Sequence, residues 1–152
     1  MKLSEALIQR ADAQKRLAQL RQRINQNALI QEDTRPAEDP AELLVEVGRT
    51  LAEFGDLVKR INRTNAATRF DEGRTLTDAL ADRDVLHSEH GILTGLAQAA
   101  VHTYNRYTRS EVKYLSTVDV AALQKRVDDL ARRIRELDTA IQALNWQVDL
   151  LD

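Results

Sequence analysis

The sequence predicts an all-α, or mainly α, protein. The expected architecture is four long helices in a bundle or coiled-coil arrangement, with a small β-hairpin or extended insertion. Three observations carry that expectation. Only 2 prolines and 5 glycines interrupt 152 residues. The 30% of charged residues stand among abundant Ala, Leu and Gln, a mixture that loses little rotamer freedom in a helix. Apolar residues recur at alternating spacings of three and four over long stretches, the period of a helix face. With aromatics at 4%, the core has to be built of Leu, Ile, Val and Ala layers. At this length a single helical domain over residues 1–152 is expected.

The first helix is expected over about residues 4–27. Leu3, Leu17 and Ile24 share one heptad position with Arg10, while Ala6, Ala13 and Leu20 share the other. Arg10 weakens that seam. Its methylenes can lie on the core with the charge reaching outward, or it can join a buried polar layer. "IQEDTRPAEDP" (30–40) then holds both prolines and a run of acids, and reads as a linker. It ends in a helix start, with Asp39 as the cap, Pro40 in the first helical position and Glu42 completing a capping box.

The second helix, about 40–65, shows Leu44, Val47, Leu51, Phe54, Val58, Ile61 and Asn65 as a heptad seam. Gly48 and Gly55 lie one residue beyond Val47 and Phe54, and leave room for another helix to come close. "KRINRTNAATRFDEGRTLTDALADRD" (59–84) is the densest polar stretch in the chain. Its start suits the negative end of the helix dipole. Its middle, "TRF-DEG-RTL", reads as a turn with Gly73 at a positive-φ position. Thr77 is expected to cap a third helix over about 78–107, with Asp78 in its first turn. The apolar face there comprises Leu80, Leu86, Leu93, Leu96, Ala97, Ala100, Val101 and Tyr104.

"RYTRSEVKYLSTVD" (106–119) breaks the helical period, and residues 111–117 are expected to be extended and able to pair with the arms around Gly73. Asp119 then caps a fourth helix over about 120–151. Here Val120, Leu123, Val127, Leu130, Ile134, Leu137, Ile141, Leu144, Val148 and Leu151 alternate three and four without a break. Every a position is β-branched and every d position is Leu, the combination that packs best in parallel two-stranded coils. Such a seam can close inside the chain or between copies of it. Trp146 lies off the seam and marks a second packing surface.

Net charge is −2, so no global electrostatic case exists for nucleic acid or an anionic membrane. Locally the charge is uneven. Residues 1–30 carry six basic and two acidic residues, and residues 31–57 carry two basic and eight acidic ones. Complementary neighbouring helices explain that pattern. The absence of cysteine excludes a disulfide scaffold and thiolate zinc, and fits a reducing cytoplasm. Glu5 and Gln9 interrupt what would be a signal-peptide core, and no window approaches a membrane span.

Three constellations carry possible chemistry. Asp84, His87 and His90 in "DRDVLHSEH" are weak candidates for a divalent metal. Arg63, Asn65, Arg69, Arg74, Asp78 and Arg83 could gather around an anion near the start of the third helix, or form a closed Arg–Asp network. Tyr104, Tyr107 and Tyr114 interleave with Arg106, Arg109 and Lys113, a weak pattern for single-stranded nucleic acid. No nucleophile with its base, no Gly-rich phosphate loop and no cofactor motif is present, so no cofactor is expected and an enzyme is the less favoured class.

Several blocks, in order, carry a family resemblance: "MKLSEALIQRADAQKRLAQLRQR", "AEDP", "INRTN", "GRTLTDALADRD", "RYTRSEVK" and "TVDVAALQKRVDDLARRIRELDTAIQALNW". Together they resemble a family of small bacterial helical proteins, many from actinobacteria, some of them labelled "septicolysin". The resemblance covers nearly the whole chain. It implies an all-helical, cytoplasmic-type, oligomeric protein, with no catalytic residues to carry over. A self-assembling structural or interaction protein that forms a homo-oligomer through the seam of the fourth helix and the Trp146 surface is therefore expected. A small-anion or divalent-metal binder is the alternative.

Overall fold

The computed structural model describes residues 1–101 and 114–152. Among these residues four helices follow one another: α1 (Leu3–Gln26), α2 (Pro40–Ala67), α3 (Leu76–Ala100) and α4 (Val120–Gln147). The chain divides into two compact units. One comprises Met1–Leu76 with Gln142–Asp152, the other Thr77–Ile141.

In the first unit α1 and α2 run antiparallel. Arg16 reaches Glu46 at 2.7 Å, and Arg23 pairs with Glu38 beside the connection, so positions on the second element fall as those on the first rise. The opposite charges of the first two segments meet across this contact. Asp39 caps α2 by accepting the Ala41 N–H at 2.9 Å, with Pro40 at the first helical position. On α1, Leu3, Ala6 and Leu20 are buried, and Arg10, Ala13, Leu17 and Ile24 are half-buried between them. Arg10 Nε is enclosed without a hydrogen-bond partner, which is what a stem laid on the seam gives, rather than a polar layer.

The protected face of α2 takes in Val47, Phe54, Val58, Ile61 and Asn65 of the expected seam but departs from it at the other positions. Leu43, Thr50, Ile61 and Thr64 are buried, whereas Leu44 and Leu51 are 58% and 51% exposed. The face against α1 is turned by about one position from the heptad that periodicity picked out. The reason lies in the width of the apolar arc. Apolar and small residues cover roughly two thirds of the α2 circumference, so spacing alone could not decide which edge would be covered.

A second correction concerns the end of α4, which stops at Gln147 and not at residue 151. The Leu3 N–H donates to the Val148 carbonyl and the Leu150 N–H to the Met1 carbonyl, both at 2.9 Å. Lys2 and Asp149 form an antiparallel bridge there. The side-chain period accordingly changes from helical to two. Leu150 is buried and Val148 half-buried, while Asp149 and Leu151 are exposed. The α2 helix completes this clasp. Thr64 Oγ1 accepts the Leu151 N–H at 3.0 Å, and Arg60 donates to the Leu151 carbonyl at 3.1 Å and to Asp152 at 3.0 Å.

In the second unit Arg83 reaches Asp138 at 3.5 Å and Arg126 reaches Glu89 at 3.4 Å, so α3 and α4 also run antiparallel. Asp119 caps α4 by accepting the Ala122 N–H at 3.0 Å. The protected positions of α3 in this unit are Ala79, Leu80, Arg83, Leu86, Glu89, His90, Leu93, Thr94, Ala97 and Ala100. Five of these, Leu80, Leu86, Leu93, Ala97 and Ala100, were expected, but Leu96 and Val101 are 42% and 60% exposed. Helix α3 begins at Leu76, so Thr77 lies inside its first turn and is not its cap. Tyr104 and the rest of 102–113 lie outside the described residues. No helix among the described residues is long and apolar enough to cross a membrane.

Candidate functional site

The polar stretch between α2 and α3 resolves into a small loop-back stapled by its own side chains. Arg69 and Thr75 form a single antiparallel bridge, and the Leu76 N–H donates to the Thr68 carbonyl at 2.8 Å. Asp71 organises the tip. Its carboxylate accepts the backbone N–H groups of Gly73 (3.1 Å) and Arg74 (3.0 Å) and the Arg74 Nε (2.8 Å). The Arg74 guanidinium also lies over the Phe70 ring, 5.2 Å from its centroid. Because Asp71 supplies an Asx-type turn, Gly73 needs no positive φ, and among the described residues the one such residue outside glycine is Asp33, at 62°.

The arginines among the anion candidates therefore have partners within the chain. Arg69 donates to the carbonyl of Asp71 at 2.9 Å, Arg74 binds Asp71, and Arg63 donates to the Lys59 carbonyl at 3.4 Å. In the second unit Arg83 pairs with Asp84 at 3.3 Å as well as with Asp138, and Asp78 lies in the first turn of α3. Asn65 is half-buried on α2. These groups tie a turn and a helix pair together. Of the metal candidates, Asp84 and His87 are exposed, while His90 belongs to the protected seam of α3. Among the described residues no three His, Cys, Asp or Glu side chains are grouped to hold an ion. Tyr107, Arg106, Arg109 and Lys113 lie outside the described residues, and Tyr114 is 69% exposed.

Hydrogen bonds and charge pairing shift three carboxyls. Hydrogen bonding from Arg74, aided by the Gly73 N–H, holds Asp71 below the usual carboxylate range. Arg23 does the same for Glu38, and Lys2 for Asp149. A carboxyl with a lowered folded-state pKa stabilises the fold above its unfolded value and loses that stabilisation as pH falls through the folded value. The thermal midpoint is therefore expected to drop on acidification below about pH 4. Arg23→Met with Arg74→Met should shrink that drop while lowering the midpoint at neutral pH. An acid limb as steep in the variant as in the wild type would show that these pairs do not set it.

The α4 seam closes within the chain. Leu123, Val127, Leu130, Ile134 and Ile141 are buried, and Val120, Leu137, Leu144 and Val148 are half-buried. Off that seam α4 is charged or polar apart from five alanines and Trp146, so its large aliphatic residues all lie on one face. Trp146 is 57% exposed, off that seam as its heptad position requires.

Helices α2 and α3 are built otherwise. Beyond its face on α1, α2 carries exposed Leu44, Gly48 and Leu51, continued at spacings of four and three by the half-buried Gly55 and Val58, and Val45 beside them is 66% exposed. The space that a Cβ would take at Gly48 or Gly55 is empty to 4 Å. Beyond its face on α4, α3 carries Ala81, Val85, Ser88, Ile92, Leu96 and Ala99, with Val85 66% and Ile92 70% exposed. Each unit thus keeps one helix with a second apolar stripe open to solvent. The sequence held the signal for both: an apolar arc too wide for one neighbour, and glycines in register with it.

A model of a family of unknown function, DUF6847, matches residues 10–150 of this chain. The chain is also similar to a functionally unknown conserved protein from Corynebacterium diphtheriae, known from its crystal structure. The two are 44% identical over 99% of each chain, with a TM-score of 0.93. No curated protein matches.

Proposed function

We propose that this chain, which belongs to the DUF6847 family of unknown function, acts as a self-associating structural or interaction protein of the cytoplasm rather than as an enzyme. The observation that carries this reading is the second apolar stripe on α2 and again on α3. A helix in a closed two-helix unit needs one apolar face, and α4 shows what such a helix looks like here. Contiguous apolar surface rimmed by charge marks an association surface, whereas scattered exposed leucines do not. Most of the α4 seam is buried in the single chain, so these stripes, together with the exposed Trp146, are the apolar surfaces left for assembly.

Light scattering after gel filtration, at two protein concentrations, tests the reading. A defined oligomer that survives dilution is expected. Leu51→Asp, a change at an exposed position, should weaken it at least about thirtyfold while leaving helix content intact. A monomer at every concentration would sink the proposal, as would an oligomer indifferent to Leu51→Asp and to Val85→Asp.

A further inference from the structure

The two open stripes match each other, and we infer that α2 of one copy docks antiparallel on α3 of a second copy, with Gly55 against Val85 and Gly48 against Ile92. This rests on the self-association proposed above and adds its register. The two glycines lie seven residues apart on α2, about 10.5 Å along the axis. Val85 and Ile92 lie seven residues apart on α3, the same distance. They are also the most exposed large apolar side chains of that helix. Two hollows with no Cβ thus face two β-branched knobs at equal spacing, the arrangement that lets helices approach closely.

Once that pair of contacts is set, the rest of the register follows from residue counts, and it is complementary. One turn before Gly48 is Leu44, which meets Leu96, one turn beyond Ile92. One turn beyond Gly55 is Lys59, which comes beside Ala81 and Asp82. Arg63, a turn further, reaches Asp78. Both basic residues are exposed, as are both acids. The basic end of the α2 stripe therefore lies along the acidic end of the α3 stripe, whereas a parallel pairing would set it at the apolar end of α3. Like helices docked on themselves, α2 on α2 or α3 on α3, would place glycine on glycine or acid beside apolar surface without this match.

Leu44, Val45 and Leu51 together expose on the order of 300 Å² of apolar surface, as do Val85, Ile92 and Leu96. One such contact would cover about 600 Å² from these residues alone, before the flanking charged side chains are counted.

The chain has no cysteine, which permits a direct test. Two single variants, Gly55→Cys and Val85→Cys, are purified separately, mixed in equal amounts and oxidised mildly. A disulfide-linked pair containing one of each is expected to dominate over either self-linked pair. Gly48→Ala with Gly55→Ala should weaken association about tenfold or more, because two methyls fill the hollows. The same pair should not lower the stability of the dilute chain, where a Cβ meets nothing. An oligomer of defined mass that links Gly55→Cys mainly to itself, or that ignores the two alanines, overturns the register and leaves self-association standing. A monomeric wild type overturns both.

Discussion

Replacing Ile61 by alanine is expected to destabilise the first unit by about 3 kcal/mol, whereas Leu51→Ala should change the stability of the dilute chain by less than about 0.5 kcal/mol. Both are large aliphatic residues on one helix, and both fell on the seam that spacing alone suggested. Ile61 is 1% exposed and Leu51 is 51% exposed. Alanine at 61 removes three methyl or methylene groups from a packed site, and adds a cavity that the flanking turns can only partly close. At 51 it removes groups that water already reaches, and alanine's higher helix propensity offsets part of the loss. Urea unfolding at low protein concentration measures both. Equal losses at the two positions would mean that α2 presents the expected seam to α1 after all. At high concentration the ranking should narrow, because Leu51 then gains contacts that Ile61 already has.

That pair of residues also shows what could be read in advance. The four helices, the Asp39 and Asp119 caps and the α4 seam rest on strong local signals: a proline at a first turn, a carboxylate ahead of it, an apolar alternation without a break. Each survives any tertiary arrangement. Which edge of α2 or α3 would be covered is not a local property. Thr50 is buried at 2% exposure because α1 lies there, and Leu44 is 58% exposed because no described residue covers it. Asp71 misled in another way. Its carboxylate does the work of a turn that a glycine seemed to explain, and in doing so consumes the arginine that the anion reading needed free. The open stripes were half visible, since the two glycines pointed to a close approach, but the face they belonged to was assigned one position away.

The end of α4 is the hardest feature to foresee, and Thr64→Val is the substitution that tests it. The heptad continues through Val148 and Leu151, so no local signal stops the helix. What stops it is pairing with the first residues of the chain and with α2, more than eighty positions away. Thr64 is fully buried. Its hydroxyl donates to the Arg60 carbonyl at 2.8 Å and accepts the Leu151 N–H at 3.0 Å. Valine keeps the volume and has similar helix propensity, so packing and backbone preference are nearly unchanged. The Leu151 N–H, partly shielded from water, loses its acceptor, which costs on the order of 1 kcal/mol. The surrounding ion pairs, Lys2 with Asp149 and Arg60 with Asp152, are open to water and screened, so they cannot offset that loss. Hydrogen exchange should show the Leu151 amide losing protection in Thr64→Val and keeping it in Thr64→Ser, while the Leu123 amide, bonded to the Asp119 carbonyl, is unaffected in both. If valine leaves the Leu151 amide protected, the clasp is held by the exposed charges, and Lys2→Met with Arg60→Met should then release it.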